Sequence, residues 1–394
     1  MNLTCNEYEV IVVGGGVAGG AAAIALAKSG VSVLLLEKEQ SPGHKVCGEF
    51  LSGESQPLLQ EIGVDVNALG AVDITQFHLY SGERPLRVRL PFVGKSISRK
   101  LLDQNLLMRA QEVGAKVLFA AHAKSIRMVD GGFQVETTQG TFLGRDVFWA
   151  AGKSDTNTVL KRQLKRQSQE SDQDFIGFKR HLEVPREIFR SLQQTIELHV
   201  YNGGYAGISQ IENDRLNYCF LIEKKISKRL DHSWHRILAH QAENNPRLKE
   251  LFARAEWLWQ KPLSIANIPY GYVCSQEKSP YFILGDQFAV ISSLAGDGMS
   301  MALLSAREAA LSYIDGKQKK LEMDEVIGQY NLRMQAAFSS PVAWGYRLQR
   351  LFAYPQGLKF ALRLLEPFPW IAEKIVHRTR CAELGTDLRF GFTT

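Results

Sequence analysis

The segment Glu9-Val-Ile-Val-Val-Gly14-Gly-Gly16-Val-Ala-Gly19, followed at once by Gly20-Ala-Ala-Ala23, leaves few folds open to the start of this chain. A β-branched run that stops at glycines spaced G-x-G-x-x-G and turns into an Ala-rich helix predicts a nucleotide-binding β-α-β unit. Gly14 permits the tight strand-to-helix turn, and Gly16 leaves no Cβ where a pyrophosphate must approach the backbone. Gly19 lets the helix lie close against the sheet. The helix then aims its first N–H groups, at the positive end of its dipole, toward the phosphates. A second apolar run, Val31–Leu36, ends in Glu37, eighteen residues after Gly19. A carboxylate there can accept both hydroxyls of an adenosine ribose and would repel a 2′-phosphate. The same glycines could form a turn without a ligand. Strand, helix, second strand and acid in this order favour a bound dinucleotide.

The other end of the chain separates a flavin from a nicotinamide. Tyr281-Phe-Ile-Leu-Gly285-Asp286 reads as a buried strand running into an acid, and Leu294-Ala-Gly296-Asp-Gly298-Met-Ser-Met-Ala302 as a second glycine-rich helix start. An aspartate at a strand end suits a ribityl chain with several hydroxyls. Glycines at 296 and 298 would bring bare backbone N–H groups to a flavin ring edge, where negative charge gathers on reduction. Between the two ends, Ser98-Arg99-Lys-Leu-Leu-Asp103 opens a helix, Gly114–Phe119 reads as a strand, and Asp146–Gly152 as another strand ending at a glycine.

Taken in order, the G-x-G-x-x-G segment with Glu37, the Ser98-Arg99…Asp103 helix start, Ala150-Ala151-Gly152 and Gly285-Asp286…Gly296-Asp297-Gly298 resemble the FAD-dependent class A flavoprotein monooxygenases and their relatives, the geranylgeranyl reductases. The resemblance extends over residues 8–340, and His44-Lys45-Val46-Cys47-Gly48-Glu49 is similar to a segment of the reductase branch that passes beside the isoalloxazine. It implies an α/β fold: a Rossmann-like FAD-binding domain of the glutathione-reductase-like type, with an inserted antiparallel β-sheet substrate domain and C-terminal helices. It also implies FAD as cofactor. Glu37 would lie on the adenosine ribose, Arg99 near the flavin's phosphate and ribityl portion, and Asp286 on the ribityl hydroxyls. The backbone at 296–299 would lie on the pyrimidine edge. Around these, the residues implied to contact the cofactor are Gly14, Gly16, Val17, Ala18, Gly19, Lys38, Lys45, Val46, Cys47, Gly48, Ala123, Ala151, Gly152, Gly296, Gly298 and Met299.

Two departures from the family bear on the substrate. Geranylgeranyl reductases carry Y-x-W-x-F-P after a Gly-Gly pair, lining the prenyl pocket. This chain has Gly203-Gly204-Tyr205-Ala-Gly207-Ile-Ser209-Gln210, which keeps the tyrosine and loses the two bulky apolar walls. The proline usual seven residues after the G-D aspartate is Ser293, at a position that faces the region where substrate or oxygen meets the ring. The W-x-W-x-I-P motif of flavin halogenases is absent.

Composition sets limits on partners and surroundings. A chain of 394 residues with 45% hydrophobic content buries a large core and is long for one domain. The boundaries read from the sequence are 1–75, 99–165 and 275–340 for a discontinuous FAD-binding domain, 76–98 and 170–274 for a substrate domain, and 341–394 for a C-terminal helical region. The net charge of +6 is mild, and no basic run interleaved with aromatics points to nucleic acid. The first strand begins too early to leave room for a signal peptide, and no apolar run approaches the roughly 20 residues of a membrane span. Cysteines 5, 47, 219, 274 and 381 form no C-x-x-C pair, which suits a reducing cytoplasm.

In the middle of the chain, Gln76–Tyr80, Leu86–Leu90, Thr195–Tyr201 and Arg215–Ile222 read as strands of an antiparallel sheet, with turns at Gly203-Gly204 and Asn213-Asp214. Lys161–Asp174 reads as a linker, and Trp234–Leu258 as helix interrupted at Asn245-Pro246. Cys47 and Tyr205 are the weak catalytic candidates, each with a plain packing role as its alternative. His232, His235 and His240 lack the acid and spacing of a metal site, so no metal is expected. Asp297 reads as a helix cap. Between Pro341 and Arg380, aromatic residues such as Trp344, Phe352, Phe360 and Trp370 alternate with Arg347, Arg350, Lys359 and Arg363, broken into short helices by Pro355, Pro367 and Pro369. That stretch would either pack on the nucleotide domain or lie on a membrane surface.

The expected activity is an FAD-dependent oxidoreductase acting on a hydrophobic small molecule. Hydroxylation or related oxidation of an aromatic, polyketide-like or isoprenoid compound with NAD(P)H and O2 is favoured, because the prenyl-pocket motif is degraded. The nicotinamide would visit transiently, since only one dinucleotide fingerprint is present. Reduction of isolated double bonds is the alternative within the family. A flavin-free lipid-group binding module of the GDP-dissociation-inhibitor type is the alternative outside it.

Overall fold

The computed structural model describes residues 7–83, 85–153, 175–275, 279–352, 378 and 380. In chain order the first elements are β1 (Glu7–Val13), α1 (Val17–Lys28), β2 (Val33–Leu36), β3 (Phe50–Leu51), α2 (Ser55–Glu61), β4 (Val72–Tyr80) and β5 (Pro85–Ser96). They are followed by α3 (Arg99–Glu112), β6 (Lys116–Leu118), β7 (Ala123–Val129), β8 (Gly132–Thr137) and β9 (Gly140–Trp149). The middle of the chain gives β10 (Phe175–Glu183), α4 (Arg186–Ser191), β11 (Thr195–Tyr201), β12 (Gly204–Ile211), β13 (Arg215–Glu223), α5 (Lys224–Arg229), α6 (Trp234–Ala242) and α7 (Pro246–Arg254). Last come β14 (Glu256–Trp257), β15 (Leu263–Ala266), β16 (Phe282–Ile283), α8 (Gly298–Lys319) and α9 (Met323–Phe352).

The first sheet has the order β6-β2-β1-β9-β8-β7, with β16 added to β9. Its centre is parallel: β1 pairs with β2 from Val10 opposite Val33 to Val13 opposite Leu36, and with β9 on its other side. Val10–Val13 and Val33–Leu36 are buried on both faces: Val10, Val12, Val33 and Leu35 pack with α1, α3 and α8, and Ile11, Val13, Leu34 and Leu36 pack with Phe133 and Val135 of β8. α1 is buried from Val17 to Leu26 against the sheet, α3 and α8. Its glycines and alanines allow that approach; a Cβ on Gly20 would stand 3.0 Å from the Cβ of Leu106 on α3.

The second sheet runs β14-β10-β13-β12-β11-β4-β5-β3, with β15 beside β10. The expectation of an all-antiparallel sheet needs one correction, because β4 and β11 pair in parallel, Gln76 opposite Thr195. More than a hundred residues separate those strands, so no hairpin dictates their direction. Alternation along β12 and β13 sends each set of side chains to its own layer. Ala206, Ile208, Leu216, Tyr218, Phe220 and Ile222 pack under Ile237 and Leu238 of α6 and Leu248 and Leu251 of α7. Tyr205, Gly207, Ser209, Cys219 and Leu221 look the other way, into the cavity described below. The helix break expected at Asn245-Pro246 is present: Asn245 accepts the Leu248 N–H at 3.0 Å, and Pro246 takes the first helical position.

α9 runs unbroken through Pro341 to Phe352, so this proline does not start a separate helix. The linker expected at Lys161–Asp174, and Phe360, Trp370 and their neighbours, lie outside the described residues. Among the described residues no helix is long and apolar enough to cross a membrane.

Candidate cofactor and substrate site

At the end of β1 the backbone of Gly14 has φ +105°, and a Cβ there would meet the Ala150 carbonyl oxygen at 2.4 Å. Gly19 is barred by contact: its Cβ would fall 1.8 Å from the Gly14 carbonyl oxygen. Gly19 does not line the cavity, so its place is the helix–strand junction. Gly16 is different. A Cβ on it would find open space bounded by Arg99 Nη2 at 3.6 Å and Lys45 Nζ at 3.8 Å. Gly16 is the N-cap of α1 with no side-chain capping bond and no acid in the first turn, so the first amides of the helix face a cradle flanked by two cations.

Both cations are held by one buried carboxylate. Arg99 donates to Asp103 through Nε and Nη2, each at 2.9 Å, and Lys45 Nζ donates at 2.8 Å. Burial alone would push the Asp103 carboxyl up, but Arg99 and Lys45 outweigh it and hold it below the usual carboxylate range. Two positive groups against one negative leave a net charge for an anion. Ser98 positions Arg99 by capping α3, accepting from the Leu101 N–H at 3.3 Å. At the end of β2, buried Glu37 accepts from the Gly15 N–H at 2.7 Å and the Glu39 N–H at 2.9 Å, which ties the glycine turn to the second strand.

The cavity that opens from this cradle has a volume of about 850 Å³. Its first wall includes Gly14, Gly16, Val17, Ala18, Glu37, Lys38, Ala123, Ala151 and Gly152. Its middle includes Lys45, Val46, Cys47, Gly48, Arg99, Asp286, Gly296, Gly298 and Met299. Asp286 lies in a short 3-10 turn, Gly285–Gln287, with Lys153 Nζ at 3.9 Å. The far wall is the apolar face of the second sheet: Phe77 and Leu79, Leu86 and Val88, Leu198, Leu221, Leu263 and Ile265. Leu348, Leu351 and Phe352 of α9 also line it, so this part of the C-terminal stretch packs inward.

Behind the 44–49 segment sits an ion cluster that the sequence did not announce. Glu49 is fully buried with φ +58°. Its carboxylate pairs with Lys179, accepts the Arg99 backbone N–H at 2.7 Å, and meets His181 Nε2 at 2.8 Å. Burial opposes its ionisation, yet Lys179 and His181 win and lower the carboxyl to about 2. The His44 ring lies 4.7 Å from the rings of His181, edge to face, and Trp259, tilted, and burial together with the nearby His181 and Lys179 lowers its pKa to about 4. Donor atoms of His44, Glu49 and His181 lie within 4.8 Å of one another. Both Glu49 oxygens are engaged by protein groups, one by Lys179 and the Arg99 N–H and the other by His181. The signal in the sequence was Lys179-Arg180-His181, three basic residues in a row within strand β10.

Asp297 occupies the N-cap of α8 but makes no side-chain capping bond. Its carboxylate accepts from Ser52 Oγ at 2.9 Å and Arg380 Nη1 at 3.2 Å, so it joins segments rather than capping. His232 and His240 are engaged separately, by Ser227 Oγ at 2.8 Å and the Asn202 carbonyl at 2.8 Å.

Residues 7–141 match the family model described as the FAD binding domain. Over 129 residues the chain is 33% identical to a digeranylgeranylglycerophospholipid reductase of Methanopyrus kandleri, covering 32% of this chain and 33% of that one. Over 321 residues it is 24% identical to a menaquinone reductase of Mycobacterium tuberculosis, covering 77% and 76%. The chain spans about half or less of the length of the first curated relatives it matches. Among solved structures, a geranylgeranyl bacteriochlorophyll reductase-like protein of Thermoplasma acidophilum superposes with a TM-score of 0.74 at 17% identity, covering 95% of this chain and 96% of that one. The flavin-dependent brominase Bmp2 gives 0.74 at 18% identity, covering 95% and 93%.

Residues 7–141 thus carry an FAD binding domain, and the chain as a whole shares the fold of these solved flavoproteins.

The fold is mixed α/β, and the matched domain is one that binds FAD. The glycine turn and the acid at the end of β2 were readable because local backbone geometry demands those residue types. Of the weak catalytic candidates, Cys47 lines the cavity; its thiol accepts from the Glu49 N–H at 3.3 Å and its carbonyl from Asn217 at 3.2 Å. Tyr205 is buried, and its hydroxyl bonds Ser293 Oγ at 2.6 Å. Burial pushes this phenol well up, so at neutral pH it is a holder of a proton rather than a base.

Proposed function

We propose that the flavoprotein reduces carbon–carbon double bonds in a hydrophobic, isoprenoid-bearing molecule. The observation that carries this reading is the continuity of one cavity from the Gly16 cradle to an apolar sheet face lined by Phe77, Leu79, Val88, Leu198 and Ile265. Such a wall gives a long apolar chain a place to lie beside the flavin and excludes water from it. The reductase names of the sequence relatives support the same choice, one of them across 77% of this chain.

The residues present fit FAD. Arg99 and Lys45 would face the diphosphate over Gly16, Glu37 the adenosine ribose, Asp286 the ribityl chain, and the backbone of 296–299 the pyrimidine edge. FAD supplies the hydride chemistry when bound. The chain contributes position, a dry wall, and a proton held at Tyr205 Oη. We take the two sheets as the cofactor and substrate halves of this arrangement, and NAD(P)H or a protein donor as the source of electrons.

Oxygenation of the same kind of molecule is the second reading. Loss of the bulky motif residues at Gly207, Ser209 and Gln210 favours it.

The two readings separate in one experiment. The FAD-loaded protein is kept reduced with dithionite under argon and mixed with a geranylgeranyl lipid that carries no quinone, and the products are weighed by mass spectrometry. Gain of two hydrogens per double bond is expected. No gain under argon, with gain of one oxygen when NAD(P)H and air are supplied, would overturn the reductase in favour of the oxygenase.

A further inference from the structure

At the junction of the flavin-facing part of the cavity and its apolar wall lies a group of hydroxyls. Tyr205 on β12, Tyr270 in the loop after β15, and Ser292 and Ser293 beside the 3-10 turn Ser293–Ala295 all line the cavity. Ser293 Oγ lies 2.6 Å from Tyr205 Oη and 3.1 Å from Tyr270 Oη, so it bridges the two phenols. Beside them, Ser292 Oγ accepts the Leu294 N–H at 3.3 Å.

A count of protons shows what this group can do. The hydroxyls of Tyr205, Ser293 and Tyr270 carry three donors, and two contacts join them: Tyr205 with Ser293, and Tyr270 with Ser293. Each contact uses one proton, so one donor is left over. Its location follows from acidity and exposure. A phenol is a stronger donor than an alkyl hydroxyl, and a serine oxygen has two lone pairs, so both tyrosines donate to Ser293. Ser293 is then left with its own proton, polarised by the two bonds it accepts. It is exposed while Tyr205 beneath it is buried, so that proton points into the cavity. The family's usual proline could not do this.

We propose that Ser293 is a specificity-determining hydrogen-bond donor that anchors a carbonyl oxygen of the hydrophobic substrate. The substrate class narrows accordingly, to apolar molecules that carry a quinone- or ketone-type oxygen next to the portion lying on the sheet. An apolar surround strengthens the preference, because a molecule of the same shape without the oxygen leaves a polarised donor unpaired. This deepens the reading of the cavity as a hydrophobic-substrate site and rests on it.

The test compares 2,3-dimethyl-1,4-naphthoquinone with 2,3-dimethylnaphthalene, which has the same outline and no oxygen acceptors. The methyl groups block the quinone carbons that thiols such as Cys47 would attack. Binding to the oxidised, FAD-loaded protein is measured by equilibrium dialysis and by perturbation of the flavin spectrum, with no turnover required. The wild type should bind the quinone more tightly than the hydrocarbon. Ser293→Ala should weaken the quinone by about five- to tenfold, the effect of one neutral hydrogen bond, and leave the hydrocarbon unchanged. Tyr205→Phe should weaken the quinone by a smaller factor, because it removes polarisation and keeps the donor. Unchanged quinone affinity in Ser293→Ala, with both probes still bound, would overturn the anchor and leave the cavity reading intact. An altered flavin spectrum in unliganded Ser293→Ala would assign the donor to the cofactor instead, which also overturns it. Failure of the wild type to bind either probe would sink the cavity reading and the anchor with it.

Discussion

Lys179→Met tests whether the buried ion cluster fixes the segment that lines the flavin site. In the wild type, Glu49 is fully buried and stays ionised through Lys179, His181 and the Arg99 backbone N–H. Its folded pKa of about 2 lies below the ordinary 4.5. That depression contributes about 3 kcal/mol of stability at neutral pH. A depressed carboxylate contributes fully above its unfolded pKa, and the contribution fades as pH falls from about 4.5 toward 2. Methionine keeps the bulk of the lysine stem and removes the charge. Burial then dominates and pushes the Glu49 carboxyl up instead of down. The variant should lose about 3–5 kcal/mol at pH 7, the cost of leaving one member of a buried pair unpaired. The loss should shrink at about pH 4.5, where the stranded carboxyl takes up a proton. Urea unfolding of the FAD-loaded protein, followed by tryptophan fluorescence at both pH values, reads this directly. Trp259, 4.7 Å from the His44 and His181 rings, reports on the cluster itself. Glu49→Gln in the Lys179→Met background should recover a substantial part of the loss at pH 7. A midpoint that moves by the same amount at both pH values, or by less than about 1 kcal/mol at pH 7, would refute the reasoning.

Two further perturbations separate folding from cofactor binding. Gly19→Ala places a Cβ 1.8 Å from a backbone oxygen and should cost about 3 kcal/mol or more. Gly16→Ala meets nothing nearer than 3.6 Å and should fold within about 1 kcal/mol of wild type. It should nonetheless lose FAD affinity by about tenfold or more, because its methyl occupies the cradle. Thermal unfolding and flavin titration of both variants decide the matter, and equal losses in the two would contradict the assignment. Glu37→Ala strips acceptors from the Gly15 and Glu39 N–H groups and should cost about 2 kcal/mol. Its FAD affinity should fall with it; unchanged affinity in flavin titration would remove Glu37 from the ribose site.

Much of the cofactor half could be read from the chain because it is built from local requirements. The turn at Gly14, the close helix at Gly19, the Ser98 cap and the break at Asn245-Pro246 each follow from backbone sterics or a hydrogen bond within a few residues. Strands of the second sheet showed through their apolar runs and the turns between them, although the parallel pairing of β4 with β11 did not. Pairing direction across a long excursion depends on how the whole chain packs, and no local pattern encodes it.

What the sequence determined by itself was the nucleotide-binding β-α-β unit and the FAD-type arrangement of its glycines and acids. Each depends on residues close in the chain whose chemistry is fixed by geometry over a few ångströms. Only the tertiary structure decided that Lys179 and His181 lock Glu49, and that Arg99 and Lys45 share Asp103. It alone made Ser293 a bridge between Tyr205 and Tyr270, and it drew Asp297 away from its helix toward Ser52 and Arg380. Those partners are dozens to hundreds of residues apart, with the single exception of Arg99 and Asp103. A buried charge or hydroxyl is satisfied by whatever polar group the fold delivers, so its meaning is set by packing and not by its neighbours in the chain.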